Sequence, residues 1–181
     1  MSKKQYDGVQ VLLHWLVALL IFTAFGLAWT MADMPLSPAK FKIISWHKWA
    51  GITVLGLVTI RLIWLKLKGA PAADPSLPTW QRKLSTGVHH LLYLLMFAMP
   101  LSGWLMSSAK GFPVVYLGQW KLPDLIAKNE ALSETFKDGH YLFATVLLIF
   151  IGLHIAAALK HHFIDKDAIL SRMIPFLRKD K

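Results

Sequence analysis

The chain has 181 residues, 55% of them hydrophobic, and 20 Lys and Arg against 10 Asp and Glu give it a formal charge of +10. That apolar share exceeds the roughly 45–50% of a soluble domain, so residues 1–181 read as a single integral membrane domain. The absence of cysteine excludes disulfides, thiolate-bound iron–sulfur clusters, thiolate-ligated haem and C-x-x-C-H attachment, which leaves histidine, carboxylate or methionine for any metal centre.

Runs of about 20 mostly apolar residues predict transmembrane helices at roughly 9–31, 43–65, 84–106 and 139–160. Lys3 and Lys4 ahead of the first run resemble the start of a signal peptide, but the run exceeds the 7–15 residues of such a segment and contains His14. The first connection, 32–42, holds two prolines and predicts a tight outer turn. The second is a Pro-rich cytoplasmic loop. The third, 107–138, is long enough to carry structure of its own, and from Pro123 it mixes apolar and charged residues as a short helix on the membrane surface would. Short connections argue for an all-α membrane protein, an up-down-up-down four-helix bundle.

Twelve Lys and Arg lie on the side that holds both termini and seven in the outer connections, so the positive-inside rule places both termini in the cytoplasm. The basic balance then follows from topology and anionic lipid, with no nucleic acid. Arg172, Arg178, Lys179 and Lys181 read as a solvated tail. Trp29, Trp46, Trp104 and Trp120 near span ends read as interfacial anchors.

The last span carries His140 and His154. Fourteen helical residues return to within roughly 40° of the same face after about 21 Å, so the two rings share a face at opposite depths. Polar groups at such depth are costly enough to signal function. Alternating helix directions add His14 to the cytoplasmic layer of His154, and His47 to the outer layer of His140. Two stacked bis-histidine haems b require this arrangement. Cross-helix hydrogen bonding explains one or two such residues but not two matched layers, and a bare zinc site wants three or four ligands at one point.

His89 rivals His14 as inner ligand. His89, His90, His161 and His162 also cluster on the cytoplasmic side, where a histidine can exchange protons with a quinone, with idle interfacial histidines as the alternative. Arg61 shares a face with His47 one layer deeper, where it pairs with an inner haem propionate or snorkels to the surface. Gly26, Gly51, Gly56, Gly103 and Gly152 fit close packing or room for a macrocycle.

The segments LLHWL, WHKWAG, HHLLYLLMFAMPLSG, GFPVVYLGQWKLP and HIAAALKHHFIDKDAILSRMIP together resemble the prokaryotic cytochrome b561 family of dihaem inner-membrane proteins. The resemblance implies His47 with His140 on an outer haem and His14 with His154 on an inner one. It also implies quinone-linked oxidoreduction: electrons from a periplasmic donor, superoxide or a redox protein, enter the outer haem and leave the inner one to ubiquinone. The rival reading is a membrane anchor and electron relay without a substrate of its own, docked to a periplasmic dehydrogenase or cytochrome. Phe112, Val114, Val115, Tyr116 and Trp120 would form its contact surface, or else cap the outer haem.

Overall fold

The computed structural model describes residues 5–72 and 77–177. Lys3, Lys4, Arg178, Lys179 and Lys181, which the orientation argument counts, lie outside the described residues. Four long helices dominate: α1 (Gly8–Ala32), α2 (Pro38–Lys68), α3 (Thr79–Lys110) and α4 (Glu130–Lys160). At 25, 31, 32 and 31 residues and about 1.5 Å per residue, each exceeds a hydrocarbon core of about 30 Å. All four are long and apolar enough to cross a membrane.

Local chemistry sets the ends. Asp7 and Gln10 form a reciprocal capping box at α1. Ser37 accepts from the Lys40 amide at the start of α2, where Pro38 occupies the first turn. Gly111, at φ 78°, closes α3 in the left-handed conformation that a side chain resists. Within α3, Pro100 lies beside Gly51 of α2, where an added methyl would stand 3.9 Å from the proline Cβ.

The third connection departs from the expected surface helix at Pro123. Residues 123–129 are irregular, and the helix begins at Glu130, continuous with α4. The physical reason is Asn129, whose side chain accepts from the Leu132 amide and starts the helix nine residues before the apolar run. Ahead of it stands a small antiparallel hairpin, β1 (Val115–Tyr116) with β2 (Trp120–Lys121), turning through Leu117 and Gly118 at positive φ.

α1 packs along α2, α3 along α4, and α2 against α3, while α1 and α4 share no comparably extended contact. The core is a stripe of Val17, Ile21, Phe25, Val54, Val58, Leu92, Leu95, Met96 and Leu147. Outward faces carry exposed Leu19, Phe22, Ile63, Leu94, Leu142 and Ile149, as lipid-facing helices do. After α4 the chain makes a π turn (His161–Asp165) and two short 3-10 turns (Leu170–Arg172 and Pro175–Leu177). This hook returns beneath the bundle, where the Trp15 indole donates to the Met173 carbonyl at 2.9 Å and Arg172 to that of Ala72 at 2.9 Å.

Candidate functional site

The opening between α1–α2 and α3–α4 is bridged by histidine rings at two depths. On the outer side His47 of α2 faces His140 of α4, with ring centroids 6.2 Å apart. On the inner side His14 of α1 faces His154 of α4 at 6.3 Å. Leu147, midway between His140 and His154 on the same face, is buried and separates the layers. Two imidazoles that bind one metal from opposite sides at about 2.0–2.1 Å per bond have centroids about 6 Å apart, so both separations fit.

Hydrogen bonding decides which nitrogen each ring offers. His47 donates from Nδ1 to the Ala24 carbonyl at 2.9 Å. His140 Nδ1 lies 3.1 Å from the Met99 carbonyl and 3.0 Å from Ser102 Oγ, and Ser102 itself donates to Met99. Both rings therefore hold their proton on Nδ1 and present Nε2 as a lone pair, the usual tautomer of a metal-binding histidine. Gly103 makes room for this: a Cβ there would stand 2.9 Å from His140 Cε1. The packing reading of the glycines holds at Gly51 and Gly103 but not at Gly26, Gly56 or Gly152, where an added methyl would meet nothing within 4 Å.

The inner layer is arranged differently. Arg61 Nη1 lies 2.9 Å from His14 Nδ1, and because a guanidinium only donates, Nδ1 is the acceptor and the ring proton sits on Nε2. Binding a metal through Nε2 requires the other tautomer and therefore a turn of Arg61 away from His14. The arginine points into the bundle, 5.7 Å from the Tyr93 ring, rather than snorkelling outward. His89 joins this layer, its ring 5.3 Å from His154 and its Nδ1 donating to the Ser85 carbonyl at 2.6 Å. That centroid distance is shorter than opposite ligands of one metal need, so the geometry favours His14 as the partner of His154.

The outer loop is tied to α2 and α3. Lys48 donates to Ser107 Oγ at 2.6 Å and to the Phe112 carbonyl at 3.1 Å. Trp49 donates to the Val115 carbonyl at 2.7 Å, and Tyr116 shares a 2.9 Å hydrogen bond with Thr53. Trp104, expected as a lipid anchor, donates to the Pro123 carbonyl at 3.1 Å and tethers the loop, whereas Trp29, Trp46 and Trp120 are exposed. Val114 is buried, while Phe112 and Trp120 face outward. Of the remaining histidines, His90 is exposed, His162 stacks edge-on against Phe163 at 4.8 Å, and His161 is bound by Asp167.

Residues 5–176 match the family described as prokaryotic cytochrome b561. The chain belongs to that family. Among its relatives are cytochrome b561 homolog 2 of Escherichia coli strain K12, 31% identical over 174 residues that cover 96% of this chain and 93% of the relative. Cytochrome b561 homolog 1 of the same strain is 28% identical over 172 residues, 94% and 97% of the two chains. The probable superoxide oxidase CybB of Yersinia pestis is 32% identical over 178 residues, 95% and 97%. As a cytochrome b561 the protein is a multi-pass bacterial membrane protein of electron transfer, in a family that binds haem b. The chain's donor set suits that cofactor: no thiolate, and neutral imidazoles facing one another in pairs.

Sequence reasoning did not find Ala24, Met99 and Ser102 as partners of the histidines. Two of these act through backbone carbonyls, which no side-chain pattern announces. The His161–Asp167 contact also went unread, because the π turn that makes it breaks helical spacing.

Proposed function

We propose that this cytochrome carries electrons from a periplasmic donor, superoxide being the favoured one, to ubiquinone, as a bis-histidine dihaem protein of the inner membrane with both termini cytoplasmic. The observation that supports it is the two facing histidine pairs at 6.2 and 6.3 Å, stacked along one face of α4. His47 and His140 would hold the outer haem b, and His14 and His154 the inner one. When bound, haem b supplies a one-electron store at each layer. The protein's own part is ligation, burial and orientation. Ala24 and Met99 fix the ring tautomers, Gly103 admits the His140 ring, and Arg61, once turned from His14, would pair with a propionate carboxylate. Ubiquinone and two protons, with two superoxide ions as reductant, give ubiquinol and two molecules of oxygen.

Phe112 and Trp120, exposed on the outer loop, favour a second reading in which this face docks a periplasmic redox protein. Proteoliposomes containing a ubiquinone analogue and a superoxide-generating system separate the two. Quinol formation that requires the cytochrome and consumes superoxide supports the first reading. Reduction that appears only on adding a periplasmic dehydrogenase or cytochrome supports the second.

A further inference from the structure

One face of α2 looks into the bundle and another away from it. Ala50, Val54 and Val58 are buried and mark the first, and at about 100° per residue Thr53 lies about 100°, and Trp49 about 140°, around the helix from Val54. Ile60, eleven residues after Trp49 and within about 20° of its direction, is exposed, as a lipid-facing side chain is. The hairpin is seated on this same outward face, nearer the outer end. Trp49 donates its indole hydrogen to the Val115 carbonyl at 2.7 Å, and the Tyr116 hydroxyl meets that of Thr53 at 2.9 Å. The connection between α3 and α4 therefore wraps the outside of α2 instead of standing clear of the bundle.

Depth follows from the same contacts. Trp49 and Thr53 lie six and ten residues into the apolar run that begins at 43, about 9 and 15 Å along the helix. Helix α1 gives a similar level independently: His47 donates to the Ala24 carbonyl, seven residues, or about 10 Å, short of the end of that helix's apolar run at 31. The hairpin is level with the outer part of the hydrocarbon layer. Backbone at such a depth must find its partners within the protein, and this segment does. Besides the Trp49 indole, the Val115 carbonyl accepts from the Gly118 amide at 3.3 Å, that of Tyr116 from Gln119 at 3.1 Å, and that of Val114 from Leu122 at 2.9 Å.

The tip is apolar against its own backbone preference. Leu117 and Gly118 both have positive φ, 51° and 72°, in a turn for which hairpins favour Asn-Gly. A leucine resists that conformation, and this one is 47% exposed, with Val115 and Trp120 also exposed on the hairpin. Water stabilises neither feature, whereas acyl chains accept the exposed side chains. At the base of the hairpin Lys121 is exposed beside Trp120, a cation next to an amphipathic ring, as at a headgroup boundary.

We propose that the hairpin Val115–Lys121 is a lipid-binding element, inserted beside α2 into the leaflet on the side of the His47–His140 layer, with Leu117 among the acyl chains and Lys121 at the lipid phosphates. Trp120 so placed meets lipid and not a docked redox protein. The proposal rests on the membrane bundle alone and is independent of the electron donor and acceptor.

The absence of cysteine makes single thiols readable. Leu117→Cys is compared with Ile60→Cys, on the lipid face of α2, and with Asp124→Cys, exposed beyond the hairpin. Each full-length protein, shown to be monodisperse by gel filtration, is placed one copy per nanodisc of phosphatidylcholine and phosphatidylglycerol and treated with a charged, water-soluble maleimide. Leu117→Cys is expected to react at least tenfold more slowly than Asp124→Cys, as Ile60→Cys does, and all three to react alike once denatured in SDS. A bimane fluorophore on Leu117→Cys is expected to lose at least half its emission when the phosphatidylcholine carries a 5-doxyl acyl chain, and one on Asp124→Cys less than a tenth. Reaction of Leu117→Cys within twofold of Asp124→Cys overturns the proposal. Slow reaction without quenching by the doxyl lipid also overturns it, because protein and not lipid then covers the tip. Should Leu117→Cys not be monodisperse, Val115→Cys is read by the same two criteria.

Discussion

At the residue scale the account depends on how single rings are held. Gly103 is the sharpest case, because a methyl there stands 2.9 Å from Cε1 and 3.2 Å from Nδ1 of His140, and a ring fixed by the Met99 carbonyl has little freedom to retreat. Gly103→Ala should remove more than half of the outer haem signal from the reduced spectrum, whereas Gly56→Ala, nine residues after His47 and so on the opposite face of α2, should leave both signals intact. Arg61 gives a second prediction. A cation beside an inner haem favours the reduced, more negative state, so Arg61→Gln should lower one of the two midpoint potentials by about 60 mV, a tenfold change for a one-electron couple. Redox titration of both variants reads this directly. The histidines that pair across the bundle were legible in the sequence because depth and the 3.6-residue period place them. Arg61 on His14 was not, since spacing gives the face and not the rotamer.

At the element scale, α4 bears the most. It supplies one ring to each layer, and its start was misread because the apolar run begins at 139 whereas the helix is set by Asn129. Hydropathy marks what lies in lipid; capping marks where a helix begins. Asn129→Ala should cost about 1 kcal/mol of stability, visible as a small drop in thermal midpoint with unchanged haem content. The hairpin Val115–Lys121 escaped a reading based on helical period, being too short to show alternation. Its attachment through Trp49 to Val115 and through Thr53 to Tyr116 still makes it part of the outer wall. Trp49→Phe keeps the ring and removes the donor to Val115, and should speed proteolysis of the outer loop in spheroplasts with little effect on the reduced spectrum.

At the scale of the whole molecule, four helices are arranged as two tight pairs joined along α2 and α3, leaving a side that histidines from three helices bridge. Composition and four apolar runs were enough to read the membrane bundle, because lipid permits few other ways to satisfy a backbone. The same physics hides the hook: in the polar zone beyond the membrane many chain paths are acceptable, so the return from His161 to Met173 was not legible.

Each histidine layer is expected to bind its own haem. The direct measurement is a pyridine haemochrome assay on the purified protein, with dithionite-reduced spectra of the wild type, His140→Ala and His154→Ala. The account predicts two haems b per chain, with each substitution removing a different one. A colourless wild type, a single haem, or two haems that both survive loss of His154 would contradict it.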